Sequence, residues 1–159
     1  MANRLGMRTL TEGVETQKQV GLPYDALIVP GDIYDRAVPP PEAVRLFSSF
    51  LSKVHLLFPE LKLFFLAGNH DSASRLSYAS EILACSNIYF CTETKLSSLT
   101  TPVLVGNGEG KAAVYQIPFL SPGSVPAKKS DLILRSQQEL FDSALALIEI
   151  GRASCRERV

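Results

Sequence analysis

Two short polar segments carry the groups that could do chemistry, Gly31-Asp32-Ile33-Tyr34-Asp35 and Gly68-Asn69-His70-Asp71. A carboxylate beside a glycine, a neutral amide and an imidazole make a set of oxygen and nitrogen donors suited to a hard divalent cation and to phosphate-ester hydrolysis. Asp32 has two carboxylate oxygens, enough to bridge two cations that share one phosphate. Asn69 offers a carbonyl ligand. His70 can act as general acid for a leaving oxygen or stabilise its charge, and Asp71 can orient or polarise that imidazole. Taken singly, each segment reads more simply as a polar turn, since Asp after Pro30-Gly31 is a common turn former. Their pairing favours the functional reading.

Both segments follow apolar runs, so each is expected where a buried strand meets a loop. A strand over Ala26–Val29 feeds Asp32 and one over Leu63–Leu66 feeds Asn69. If the two are parallel neighbours, groups far apart in sequence meet at one carboxyl edge of a sheet. Between them, Val38-Pro39-Pro40-Pro41 is a stiff connector and Pro41 suits the first turn of a helix. Val44, Leu46, Phe47, Phe50, Leu51, Val54 and Leu57 recur at three-and-four spacing, predicting a helix from Pro41 to about Leu57 that packs on the sheet, with Pro59 closing it. A second helix is expected over Ser74–Ala84 and a short strand over Ile88–Phe90. The order strand, helix, strand, helix, strand is that of an α/β protein. Farther on, Thr101–Val105 and Ala112–Ile117 flank a glycine-rich turn, a hairpin signal. Ser121–Ser130 reads as loop and Asp131–Leu147 as helix. Residues 1–22 match these patterns poorly, with at most a weak helix over Thr11–Gln19.

The chain has 159 residues, 46% of them apolar and 20% charged, enough for one domain with a core. Sixteen basic residues balance sixteen acidic ones, so composition supplies no general attraction to nucleic acid or anionic membrane. No run approaches the roughly 18 apolar residues of a spanning helix, no basic-then-apolar leader opens the chain, and a cytoplasmic location is expected. Three cysteines, Cys85, Cys91 and Cys155, lack metal-binding spacing and an even count; they are expected to be buried thiols. Residues 149–159 break the apolar pattern. Ile150–Val159 is similar to the translation of a common sequencing adapter, so this tail is expected to form no structural element and to lie outside a domain spanning 1–148.

Gly31-Asp32-Ile33-Tyr34-Asp35-Arg36-Ala37-Val38-Pro39 and Gly68-Asn69-His70-Asp71-Ser72 resemble the second and third motifs of the calcineurin-like metallophosphoesterases. Arg36–Pro40, Arg75-Leu76-Ser77 and Tyr115–Pro122 narrow the resemblance to the SbcD-type nuclease subunits within that family. It covers roughly residues 24–148. It implies a two-sheet sandwich flanked by helices and a two-metal manganese centre. Asp32 would be the bridging ligand, Asn69 a ligand of the second metal, and His70 the catalytic histidine. It further implies hydrolysis of phosphodiesters at double-stranded DNA ends and hairpins in DNA repair, recombination and replication, an SbcC-type ATPase partner, and a homodimeric nuclease core. Tyr34, Arg36 and Arg75 would touch DNA phosphates or brace the loops; Asp35 would stand behind the ligands. The two shared motifs are equally compatible with a phosphoesterase for nucleotides or phosphoproteins, and a noncatalytic binding fragment is a third reading.

The sequence departs from the family pattern at its ends. No Asp-x-His precedes Asp32, and no Gly-His-x-His follows, because the two histidines are His55 and His70. His55 falls in the first predicted helix and is expected to be structural or solvated. With Asp32 and Asn69 as its metal ligands, this polypeptide alone is expected to bind metal weakly and to be inactive. A sheet short of strands is expected to leave exposed edges.

Overall fold

In the computed structural model, the described residues are 24–93, 99–106, 110–121 and 136–156, with residues 150–156 described by backbone alone. The expectations for residues 1–22, for most of Ser121–Ser130 and for residues 131–135 fall outside them. The chain divides into two compact units, Met1–Phe90 and Cys91–Val159. Together they hold a mixed α/β set of elements.

The first unit follows the expected alternation. Strand β1 (Ala26–Val29) leads to helix α1 (Pro41–Leu57), strand β2 (Lys62–Leu66), two short helices α2 (Ala73–Leu76) and α3 (Ser80–Ala84), and strand β3 (Ile88–Cys91). The sheet order is β1-β2-β3, with β1 and β2 parallel in the register Ala26↔Lys62 through Val29↔Phe65. Helix α1 begins with proline in its first turn and ends with the Phe58 amide bonded back to the Val54 carbonyl at 2.8 Å, just before Pro59. Its inner face places Phe47, Phe50 and Val54 in the core with Leu63, Phe65 and Ile88. Each fully buried side chain of this kind stabilises the fold by roughly 1.5–3 kcal/mol. Val44, expected on that face, is 44% exposed at its edge.

Aromatic rings tie these elements together. Phe47 meets Phe65 edge-on at 5.2 Å and Phe90 at 6.1 Å, while Phe65 and Phe90 stack at 5.1 Å. On the opposite sheet face Phe64 stacks with Tyr89 at 5.3 Å. Among the described strands β1 is at the sheet edge, and its Ile28 is 54% exposed.

One expected helix is broken. Residues Ser77–Ala79 separate α2 from α3, and Ala79 adopts a left-handed conformation, φ 58°. The Ser77 hydroxyl donates to the Ser74 carbonyl at 3.1 Å, while the Tyr78 and Ser80 amides turn to carbonyls three residues back. Side-chain and tight-turn bonds of this type compete with the α-helical ladder.

The second unit contains an antiparallel pair, β4 (Val103–Val105) and β5 (Ala112–Val114), and helix α4 (Gln137–Arg156). Both strands are shorter than expected: Pro102 has no amide proton to extend β4, and the chain leaves β5 before Tyr115. Leu140, Ala144 and Ile148 project from one α4 face into a core with Leu99 and Leu120. The described start of the helix is Gln137. Ser136 caps it, accepting from the Glu139 amide at 3.2 Å while Glu139 accepts from the Ser136 amide at 3.1 Å, a reciprocal capping box. It also runs later than Leu147. The backbone stays helical through Arg156, contrary to the expectation that the tail forms no element. No proline interrupts residues 148–156, and Ala and Arg propagate a helix once begun.

The cysteines differ from one another. Cys91 is buried, as expected, but Cys85 is exposed because it caps the short helix α3 on its outer side. Burial pushes the Cys91 thiol up from 9.0 to about 12, so its neutral form carries a stabilising preference that is complete below pH 9 and fades as pH climbs toward that higher value. Cys91 then holds far less thiolate at pH ~8 than an exposed cysteine, and alkylation followed by peptide mapping is expected to label Cys85 long before Cys91. Equal labelling rates would contradict the burial.

Candidate metal and phosphate site

Parallel pairing of β1 and β2 decides where the two polar segments go. Carrying the observed register three residues past Val29↔Phe65 sets Asp32 opposite Gly68. The loops touch there. The Cα of Gly68 lies 3.4 Å from where a Gly31 Cβ would be, and a Cβ on Gly68 would collide with the Asp32 amide nitrogen and Oδ1 and come within 2.8 Å of Asp32 Cγ. Glycine at 68 is therefore a requirement of the approach. Gly31 has φ 129° and Asp32 φ 46°. Asp is one of the few side-chain-bearing residues that tolerates the left-handed region, and such strained positions gather at functional loops.

Across this contact, Asp32 Oδ1 accepts a hydrogen bond from the backbone N–H of His70 at 3.3 Å. Asn69 lies between Gly68, pressed on Asp32, and His70, bonded to it. Asp32, Asn69 and His70 are all exposed. Three of the four residues selected from sequence, Asp32, Asn69 and His70, thus lie on two touching loops at one sheet edge and are exposed.

Asp71 has a different position from the other three. It is half-buried, its Oδ1 accepting from the Tyr34 amide at 2.9 Å and its Oδ2 from the amides of Ile33 at 3.0 Å and Gly68 at 2.9 Å. These three bonds to backbone were not foreseen from the sequence. A carboxylate just after the polar triplet was the only available signal. Tyr34 sits edge-on to Phe47 at 5.8 Å. Burial, and after it the Asp71 carboxylate, hold its phenol above the usual tyrosine range. Asp35 pairs with Arg36 at 3.6 Å with both side chains mostly exposed, an ion pair of little energetic weight. His55 is exposed on the last turn of α1.

Among the described residues no three His, Cys, Asp or Glu side chains cluster as a metal cage. The donors carried on the two touching loops, the Asp32 carboxylate and the Asn69 amide, are hard oxygen ligands of the type that suits a magnesium- or manganese-like cation as two members of a larger set. No helix of the described residues is long and apolar enough to cross a membrane.

The sequence was compared with known proteins. The family model of the calcineurin-like phosphoesterases matches residues 7–143. The SbcD subunit of the SbcCD nuclease of Escherichia coli K12 is 34% identical over 120 residues, 74% of this chain and 28% of that protein. The proteins of the same name from Staphylococcus saprophyticus and Staphylococcus epidermidis are 28% and 24% identical over 122 and 123 residues, covering 77% and 76% of this chain and 31% and 30% of theirs. The chain spans about three-tenths of the length of these relatives.

Proposed function

The chain belongs to the calcineurin-like phosphoesterase family, and from that premise we propose that it is part of a metal-dependent nuclease subunit that hydrolyses phosphodiesters at double-stranded DNA ends and hairpins. The observation that supports this reading is the bond from the His70 backbone amide to Asp32 Oδ1, which joins the loop that carries Asp32 to the loop that carries Asn69 and His70. Asp32 and Asn69 would hold the metal through a carboxylate and a carbonyl oxygen. The metal ions, when bound, neutralise charge on the phosphate and supply a hydrolytic nucleophile at neutral pH. The imidazole of His70 donates a proton to the departing sugar oxygen.

The nuclease assignment draws on the names of the relatives and on the Arg36–Pro40 and Tyr115–Pro122 segments. With it come manganese as the working ion, DNA and an SbcC-type ATPase as partners, homodimerisation of the whole nuclease subunit, the family's sandwich of facing sheets and a cytoplasmic location. Binding separates this reading from a nucleotide or phosphoprotein phosphoesterase. With magnesium as a diamagnetic ion, hairpin duplex DNA is expected to shift the amide resonances of Asp32, Asn69 and His70 at lower concentration than nucleoside monophosphates or a phosphoserine peptide. The reverse order would transfer the assignment to the smaller substrates.

A further inference from the structure

We infer that Asp71 is the positioning residue of this site, acting on Asp32 and His70 through the backbone of both loops rather than by orienting the imidazole ring. The inference rests on the proposed metal and phosphate site and deepens it. One carboxylate accepts three amides, and they come from both segments. Ile33 and Tyr34 directly follow Asp32, and Gly68 directly precedes Asn69. The bonds are 2.9–3.0 Å long, the usual length of a well-formed N–H···O bond, and bonds to a carboxylate are stronger than those between neutral groups.

The same geometry argues against the ring. A carboxylate offers about four lone-pair directions, and three of Asp71's are used by amides. Among the described residues, the His70 ring makes no hydrogen bond to Asp71. The link that does join the loops at the site itself, His70 N–H to Asp32 Oδ1, is longer at 3.3 Å and lies on exposed side chains. Such a bond is weak in water. Gly68 must also stay within contact of Asp32 without any side chain of its own to hold it there. Asp71 supplies that hold from the half-buried side, by clamping the residue after Asp32 and the residue before Asn69 to one rigid planar group. Asp32 and Asn69 are then fixed relative to each other before any cation arrives, the preorganisation that supporting residues give to metal ligands.

The test compares Asp71→Ala and Asp71→Asn with the unaltered chain in two measurements made without turnover. The first is amide hydrogen exchange. Ile33, Tyr34 and Gly68 are expected to exchange faster together in Asp71→Ala, by about tenfold or more, while the β2 amides of Leu63 and Phe65 stay slow and report an intact fold. Asp71→Asn retains one acceptor oxygen, so it is expected to release either Tyr34 or the Ile33 and Gly68 pair, and it carries the test if the alanine variant does not fold. The second is manganese titration, read as selective broadening of the Asn69 and His70 resonances. The concentration for half-broadening is expected to rise about 10–100-fold in Asp71→Ala, and by the same factor in a His70→Ala background, because the effect does not pass through the ring. Unchanged exchange at the three amides overturns the inference. Faster exchange with unchanged manganese response also overturns it and leaves the site standing. Loss of the Asp71 effect in the His70→Ala background assigns the role to the imidazole instead. Absence of selective broadening in the unaltered chain rejects the site, and the positioning role with it.

Discussion

Gly68→Ala is expected to destabilise the chain by about 1–3 kcal/mol, the range for forcing an extra carbon into a filled space, and to pull the two loops apart. The added methyl meets the Asp32 backbone nitrogen and carboxylate, not the flexible end of a long side chain. Asp32 cannot easily turn away, since its φ of 46° already places it in a small allowed region. Relief must come from one of two bonds, His70 N–H to Asp32 or Gly68 N–H to Asp71. Thermal unfolding is expected to show a midpoint lowered by several degrees, and amide spectra to show changes at Asp32, Asn69 and His70. Gly110→Ala is the matched control, because a Cβ there meets nothing within 4 Å and such surface changes stay within about ±0.5 kcal/mol. A Gly68→Ala chain as stable as the control, with unmoved site resonances, would show that the loops do not touch as described.

The other large effect belongs to Asp32. Asp32→Ala is expected to raise the manganese concentration needed to broaden Asn69 and His70 by about 10–100-fold or more, the scale on which metal sites respond even to loss of a supporting group. Alanine also tolerates the left-handed conformation poorly, at a cost of about 1–2 kcal/mol, so Asp32→Asn separates the two effects: it keeps the shape and the acceptor for His70 N–H but removes the charge. Both variants are expected to weaken the manganese response. His55→Ala, on the exposed end of α1, is expected to leave it unaltered. A response that survives Asp32→Asn would remove the carboxylate from the metal site.

Much of this geometry is written in the first half of the chain. The α1 helix is legible because Phe47, Phe50 and Val54 repeat at helical spacing between Pro41 and Pro59, and prolines at those places have one meaning each. β1 and β2 are legible as apolar runs, and parallel pairing alone then sets Asp32 against the loop of Asn69. The roles of Gly68 and Asp71 were not legible, because both act on backbone atoms of a distant segment. A sequence shows which side chains exist; it does not show which amides lack a ladder partner. The break at Ser77–Ala79 depends on a Ser77 to Ser74 bond that competes closely with helix. The capping box of Ser136 and Glu139 is set by side-chain to backbone bonds that apolar periodicity does not mark. The helical continuation through Arg156 follows from permissive residues that no hydrophobic periodicity marks.

The central claim is that Asp32, Asn69 and His70 form one cation site, and paramagnetic mapping tests it directly even where affinity is low. Manganese added to the isotopically labelled chain is expected to broaden the resonances of Asp32, Asn69 and His70 first, before those of Glu42, His55 or Glu81 on the exposed helix surfaces. Broadening that begins on those surfaces, or that spreads evenly over the acidic residues, would contradict the site and the hydrolase reading built on it.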